Sequence, residues 1–202
     1  MERNAIFLRG SLQALPEFSH ENHGRKFYRF LLEVPRLSGA VDLLPVMAPL
    51  EILEQVELTG GSMLRIEGQL RSHNFTDAAG RHLQIFVHPA KIVAEEGSPE
   101  NRVQLTGTLC RLPTFRKTPL GRQICDMMLA VPRAFRRADY LPCILWGRIA
   151  ERGSCCHTGE EVSIAGRLQS RIYSKYTDTG LQEHTAYEVS ALSAELPQRL
   201  DA

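Results

Sequence analysis

Tyr140, Trp146 and Tyr173 stand in one half of the chain among Arg148, Arg167, Arg171 and Lys175, with Arg116, Lys117 and Arg122 shortly before them. Aromatic faces interleaved with cations at this density suit a ligand made of flat unsaturated rings joined by phosphates. The rings stack, and the guanidinium and ammonium groups hold the anionic backbone. Those rings must be unpaired, because a duplex hides its base faces inside the stack. The other half offers one candidate at an equivalent place, Phe75. Covalent chemistry finds no comparable set. The 7 histidines form no HExxH or other ligand spacing. The 5 cysteines include no CxxC pair and read as reduced thiols. Cys155-Cys156-His157 invites a metal, but adjacent cysteines do not easily span a tetrahedral site without further ligands. No glycine-rich phosphate loop is present. The reading is a binding protein with no metal and no cofactor, not an enzyme.

Such a ligand needs positive charge near the rings. The whole chain carries only +1, which argues against a uniformly basic surface, but the charge is unevenly spread. Residues 1–97 sum to −2, whereas the stretch from Arg102 to Lys175 sums to +8. The second half is the expected binder. With 202 residues and 43% hydrophobic content the chain can bury one large core or two small ones. Its longest apolar region, Ala40 to Leu53, is interrupted by Asp42, Pro45, Pro49 and Glu51, and the N-terminal apolar run is short. No membrane span and a cytoplasmic protein are expected.

The chain matches itself at an offset of 97 residues, and this repeat sets the elements that carry the rings. Asn4, Leu8, Gly10 and Leu12 return as Asn101, Leu105, Gly107 and Leu109; Val34-Pro35-Arg36 returns as Val131-Pro132-Arg133. After a one-residue insertion Gly61, Ile66, Gly68 and Leu70 return as Gly159, Ile164, Gly166 and Leu168. The polar stretch 96–100 reads as a linker between a domain at 1–95 and a domain at 101–195, with 196–202 as a short tail. Short alternating stretches predict half-buried strands, and Thr76 to Gly80 and Thr177 to Gly180 predict tight hairpins. One short helix fits after the third strand, with Leu50, Leu53 and Val56 as its apolar face in the first copy and Ile149 and Ala150 in the second. Gly10, Gly68, Gly107 and Gly166 read as bends of a small barrel. The fold class is all-β: two tandem OB-fold five-stranded barrels, each with one short helix between strands 3 and 4.

Residues two apart on a strand share a face. Tyr140 and Trp146 take one parity of their strand, while Leu141, Cys143 and Leu145 take the core parity. Val162, Ile164, Gly166 and Leu168 point inward on the next, which turns Arg167, Gln169, Arg171 and Tyr173 outward. One outer face collects both rings and cations.

The run Asp139 to Glu151, followed by Gly166 to Tyr173, resembles bacterial single-stranded DNA-binding proteins of the SSB family, and Asn101 to Leu109 fits as well. The resemblance covers nearly all of residues 101 to 193 and implies base stacking by Tyr140, Trp146 and Tyr173. In the first copy Leu43 and Pro49 stand at the places of Tyr140 and Trp146, and Phe75 stands opposite Tyr173, so weak or absent binding is expected there. Phe27, Tyr28 and Phe30 read equally as core or as a displaced contact surface. The family usually ends in an acidic, Phe-tipped tail, which Leu196 to Ala202 does not match. The chain is therefore also similar to the tail-less primosomal replication protein N type. The resemblance implies single-stranded DNA as partner in replication, recombination or repair and a nucleoid-associated location; two barrels in one chain imitate a dimer of single-barrel chains or half of a four-barrel assembly, and in the second case the chain is a homodimer. A scaffold for replication or primosome proteins is the alternative. RNA stays open as a ligand, since stacking surfaces accept any base.

Overall fold

The computed structural model describes residues 3–77, 80–177 and 180–197, most of them in strands. The first copy runs β1 (Asn4–Leu12), β2 (Glu17–Asn22), β3 (Arg25–Pro35), β4 (Val41–Pro49), α1 (Leu50–Leu53), β5 (Met63–Asp77) and β6 (Gly80–Ala94). The second repeats it as β7 (Glu100–Leu109), β8 (Thr114–Lys117), β9 (Gln123–Arg133), β10 (Arg137–Trp146), α2 (Gly147–Gly153), β11 (Glu161–Thr177) and β12 (Gly180–Glu195).

Pairing closes each copy on itself. β1 pairs with β3 and β5, β3 with β4, β5 with β6, and a parallel contact between β4 and β6 completes the ring. β7, β9, β10, β12 and β11 close in the same order. These are two five-stranded OB barrels, each with its helix between the third and fourth strands of the ring. The short strands β2 and β8 are additions that the sequence reading does not separate; each pairs along β3 or β9 at an edge of the sheet. Alternation accounts for the interiors: Leu8, Leu32, Leu44 and Ile66 fill one barrel, Leu105, Leu129, Leu141 and Ile164 the other. The first helix is only 4 residues long, and Val56 lies beyond its end while still packing on the core.

The glycines read as bends mark where strands cross closely. The register shifts at Gly68 and at Gly166. A Cβ on Gly68 would lie 2.3 Å from the His88 carbonyl oxygen, and one on Gly166 would lie 2.2 Å from that of Ser190. Gly80 and Gly180 have the positive φ expected of hairpin closure, at 113° and 111°. The loop residues 78–79 and 178–179 named in the hairpin expectation, and 198–202 of the tail, lie outside the described residues; Leu196 is buried.

The copies join through β1 and β7, which pair antiparallel with Asn4 opposite Leu105, Ile6 opposite Val103 and Leu8 opposite Asn101. Because Asn4 and Leu8 are the repeat equivalents of Asn101 and Leu105, this pairing maps onto itself, and a pseudo-twofold axis passes beside the Ile6–Val103 pair. The side chains obey the same symmetry. Asn4 bonds both backbone groups of Leu70, at 2.8 and 2.9 Å, and Asn101 does so with Leu168 at 2.7 and 2.9 Å. Asp42 of the first copy accepts from Ser170 N of the second at 2.7 Å; Asp139 of the second accepts from Ser72 N of the first at 2.8 Å.

Candidate nucleic-acid interface

Strand parity places the rings as expected. On β10, Leu141, Cys143 and Leu145 are buried in the barrel, while Tyr140 and Trp146 point outward at 42% and 37% exposure. Tyr173 on β11 is 40% exposed. One residue departs from the pattern: Ile144 has the outward parity and is nonetheless buried. Each ring is held. Trp146 Nε1 donates to Ser190 Oγ at 2.9 Å. Tyr173 stacks on its cross-strand partner His184, with ring centroids 5.6 Å apart, and the Arg171 guanidinium lies 5.6 Å from the tyrosine centroid. The Tyr140 backbone N donates to Ser72 Oγ of the first copy at 2.7 Å.

Tyr140 and Trp146 are six residues apart, roughly 20 Å along a strand. Pro142, on the same parity between them, lines a cleft of about 350 Å³ with Arg111, Arg116, Arg171, Asp126 and Glu188. Three cations therefore line a cleft beside Pro142, and one of them, Arg171, also reaches the Tyr173 ring. They are not bare charges. Arg116 donates to Asp126 through Nε at 2.7 Å and Nη2 at 3.3 Å, and this bonding raises its pKa against the opposing effect of burial. Arg171 Nε lies 3.6 Å from Glu188. An incoming phosphate must share or displace these carboxylates. Arg111 belongs to the cleft and was missed by the sequence reading, since it sits just before the unseparated strand β8 and carried no parity.

The remaining candidates distribute as follows. Arg148 is exposed at the start of α2, two residues past Trp146. Lys117 and Arg122 are exposed at the β8–β9 turn, which Arg122 N closes on Thr118 Oγ1 at 3.0 Å. Arg167 shares the outward parity but is only half exposed, and it lines the seam between the copies with Arg36, Asp42 and Gln169, away from the cleft. The Lys175 side chain lies outside the described residues. Phe75 is exposed and stacks on His82 and His73, at 5.1 and 6.3 Å, repeating the Tyr173–His184 arrangement.

The first copy keeps the cleft and changes its chemistry. Leu31, Pro45, Met47 and Phe86 line a space of about 430 Å³ there, together with Glu17 and Arg29. Arg71–Phe86 is the cross-strand pair equivalent to Gln169–Glu188, so an aromatic ring replaces a carboxylate. Phe30 is core, whereas Phe27 and Tyr28 are half-buried and pair with His20 and Phe18. All five cysteines are free thiols; burial pushes Cys125 up to about 11 and Cys143 further still. Among the described residues no group of three His, Cys, Asp or Glu could hold a metal, and no helix is long and apolar enough to cross a membrane.

A model of the single-strand binding protein family matches residues 100–197. Single-stranded DNA-binding protein 2 of Streptococcus agalactiae is 35% identical over 103 residues, which cover 48% of this chain and 76% of that protein. The chain belongs to the single-strand binding protein family. Membership places it among binding proteins, not enzymes. Single-stranded DNA-binding protein 2 of Listeria innocua is 36% identical over 80 residues, 36% of this chain and 50% of that protein. The chain thus spans about half the length of the curated relatives it matches first. The wild-type single-stranded DNA binding protein from Thermus aquaticus superposes on 98% of this chain and 95% of its own, with a TM-score of 0.77 at 25% identity. The family match covers the second copy, and the structural match extends over both.

Proposed function

We propose that this family member binds single-stranded DNA through its second copy, as a passive holder of unpaired strands in replication, recombination or repair. One observation carries the reading: Tyr140, Trp146 and Tyr173 are exposed on the outside of one barrel, which also carries a cleft lined by Arg111, Arg116, Pro142 and Arg171. Bases stack on the rings and phosphates meet the guanidinium groups. In this reading residues 1–95 and 101–195 act as two domains about the linker 96–100, and Arg148, Lys117, Arg122 and Lys175 extend the cationic track. The protein works in the bacterial cytoplasm at the nucleoid, and two chains pair to present four barrels; light scattering that returns the mass of one chain opposes that pairing.

A scaffold role has a specific observation in its favour, the apolar character of the first copy's cleft. Titration with oligo-dT separates the two. Trp146 is the single tryptophan, and a stacked base quenches it, so strong quenching at low salt is expected. Unchanged emission favours the scaffold. Competition with oligo-U reports whether RNA is bound equally.

A further inference from the structure

The two copies share a pseudo-symmetric seam, and its two halves differ in how the buried carboxylate is paired. In one half Arg36 forks onto Asp42, with Nε donating at 2.7 Å and Nη2 at 2.5 Å beside the two bonds from Ser170. In the other half the equivalent pair is Arg133 and Asp139, but a second cation intrudes. Arg71 of the first copy approaches Asp139 at 3.0 Å through Nη1, and Arg133 is left at 3.4 Å. The residue that corresponds to Arg71 in the other half is the neutral Gln169. Two arginines thus share one fully buried carboxylate, which leaves a net positive charge beside Asp139.

The better-placed arginine is the more buried one. The Arg71 side chain is 18% exposed and also donates to Gln69, while that of Arg133 is 33% exposed and turned toward solvent at the end of β9. Neighbouring groups feel the excess. Burial lowers the pKa of Arg71 and the charge of Arg133 lowers it further; burial lowers His88 as well, with Arg71 and Arg133 adding to the effect against a hydrogen bond to Met47. The location also fits a role. Asp139 precedes Tyr140, whose backbone N is anchored on Ser72, the residue after Arg71.

We propose that Arg133 is a phosphate-binding residue of the second copy, released for that task because Arg71 of the first copy takes the larger share of Asp139. The ligand is the phosphodiester adjoining the base stacked on Tyr140, so the inference rests on the reading above. It also assigns the first copy a positioning role across the seam, although its own rings are replaced.

The test is a salt titration of fluorescently labelled oligo-dT, followed by anisotropy, on the full chain. Arg133→Gln is expected to weaken binding about three- to tenfold at low salt and to reduce the slope of log affinity against log salt by about 0.7, one phosphate contact. Arg133→Lys keeps the charge and should restore the slope. Arg71→Gln lets Arg133 close onto Asp139 as Arg36 does onto Asp42, so it should lose the same increment of slope although it touches no phosphate. Should Arg71→Gln melt early, the Arg133 pair of variants decides. An unchanged slope in Arg133→Gln, with wild type still binding and Trp146→Ala weakened, overturns the inference and leaves the broader reading standing. No binding by wild type sinks both.

Discussion

Trp146 is held from two directions, by the bond from Nε1 to Ser190 Oγ and by its neighbour Leu145 inside the barrel. The outer ring face is thereby presented at a set angle, and little side-chain entropy remains to be lost when a base lands on it. Trp146→Ala should weaken oligo-dT binding by about 1–3 kcal/mol, the usual worth of one base stack. Leu43→Ala, at the position equivalent to Tyr140, should leave affinity as it is; anisotropy with labelled oligonucleotide measures both. Arg116 and Arg171 present the opposite case. Their guanidinium groups already face Asp126 and Glu188, so they orient well but exchange one anion for another on binding. A charge count over the sequence credits such residues fully, whereas the paired geometry discounts them.

At the scale of elements, β11 does two jobs. Its inner face fills the barrel with Val162, Ile164 and Leu168, and its far half carries Arg171 and Tyr173 out along the hairpin. The bulge at Ala165/Gly166 lets one strand serve both by bending where β12 crosses it. Gly166→Ala would drive a methyl group against the Ser190 carbonyl, backbone that cannot swing aside. We expect a loss of about 1–3 kcal/mol in denaturant-unfolding stability, the cost of overpacking. Because Ser190 also anchors Trp146, a weaker oligo-dT complex should accompany it. Stability equal to wild type would mean that the strand crossing relaxes freely.

For the whole molecule, the seam ties the two copies to each other through buried carboxylates. Asp42 is almost fully buried and bridges Arg36 on its own barrel to Ser170 N and Oγ on the other. Burial by itself would raise its pKa, but the hydrogen bonds from Arg36 and Ser170, with the charge of Arg36, outweigh that and hold the carboxyl below its ordinary 3.8. A depressed folded value stabilises fully above the unfolded one and is lost as pH falls through the folded one. Asp42→Asn should therefore cost about 1.5–3 kcal/mol near neutral pH, the worth of hydrogen bonds to a charged group. The gap to wild type should narrow only below pH 3.8. Urea melts across that range measure it, and a gap independent of pH would show that charge at Asp42 is not what joins the barrels.

The repeat, the strand parity and the ring positions were all legible in the sequence, because a period of two and a constant offset are properties of the chain itself. Leu141, Cys143 and Leu145 against Tyr140 and Trp146 needed only alternation. Ile144, buried on the outward parity, and Arg167, drawn to the seam, did not follow from it, since both depend on what packs across from them. The pairing of Arg116 with Asp126, and the sharing of Asp139 by Arg71 and Arg133, join residues 10, 68 and 6 apart. No local pattern encodes such meetings. Periodicity specified which face each side chain takes; only the closure of two barrels about a common axis determined which charges face one another.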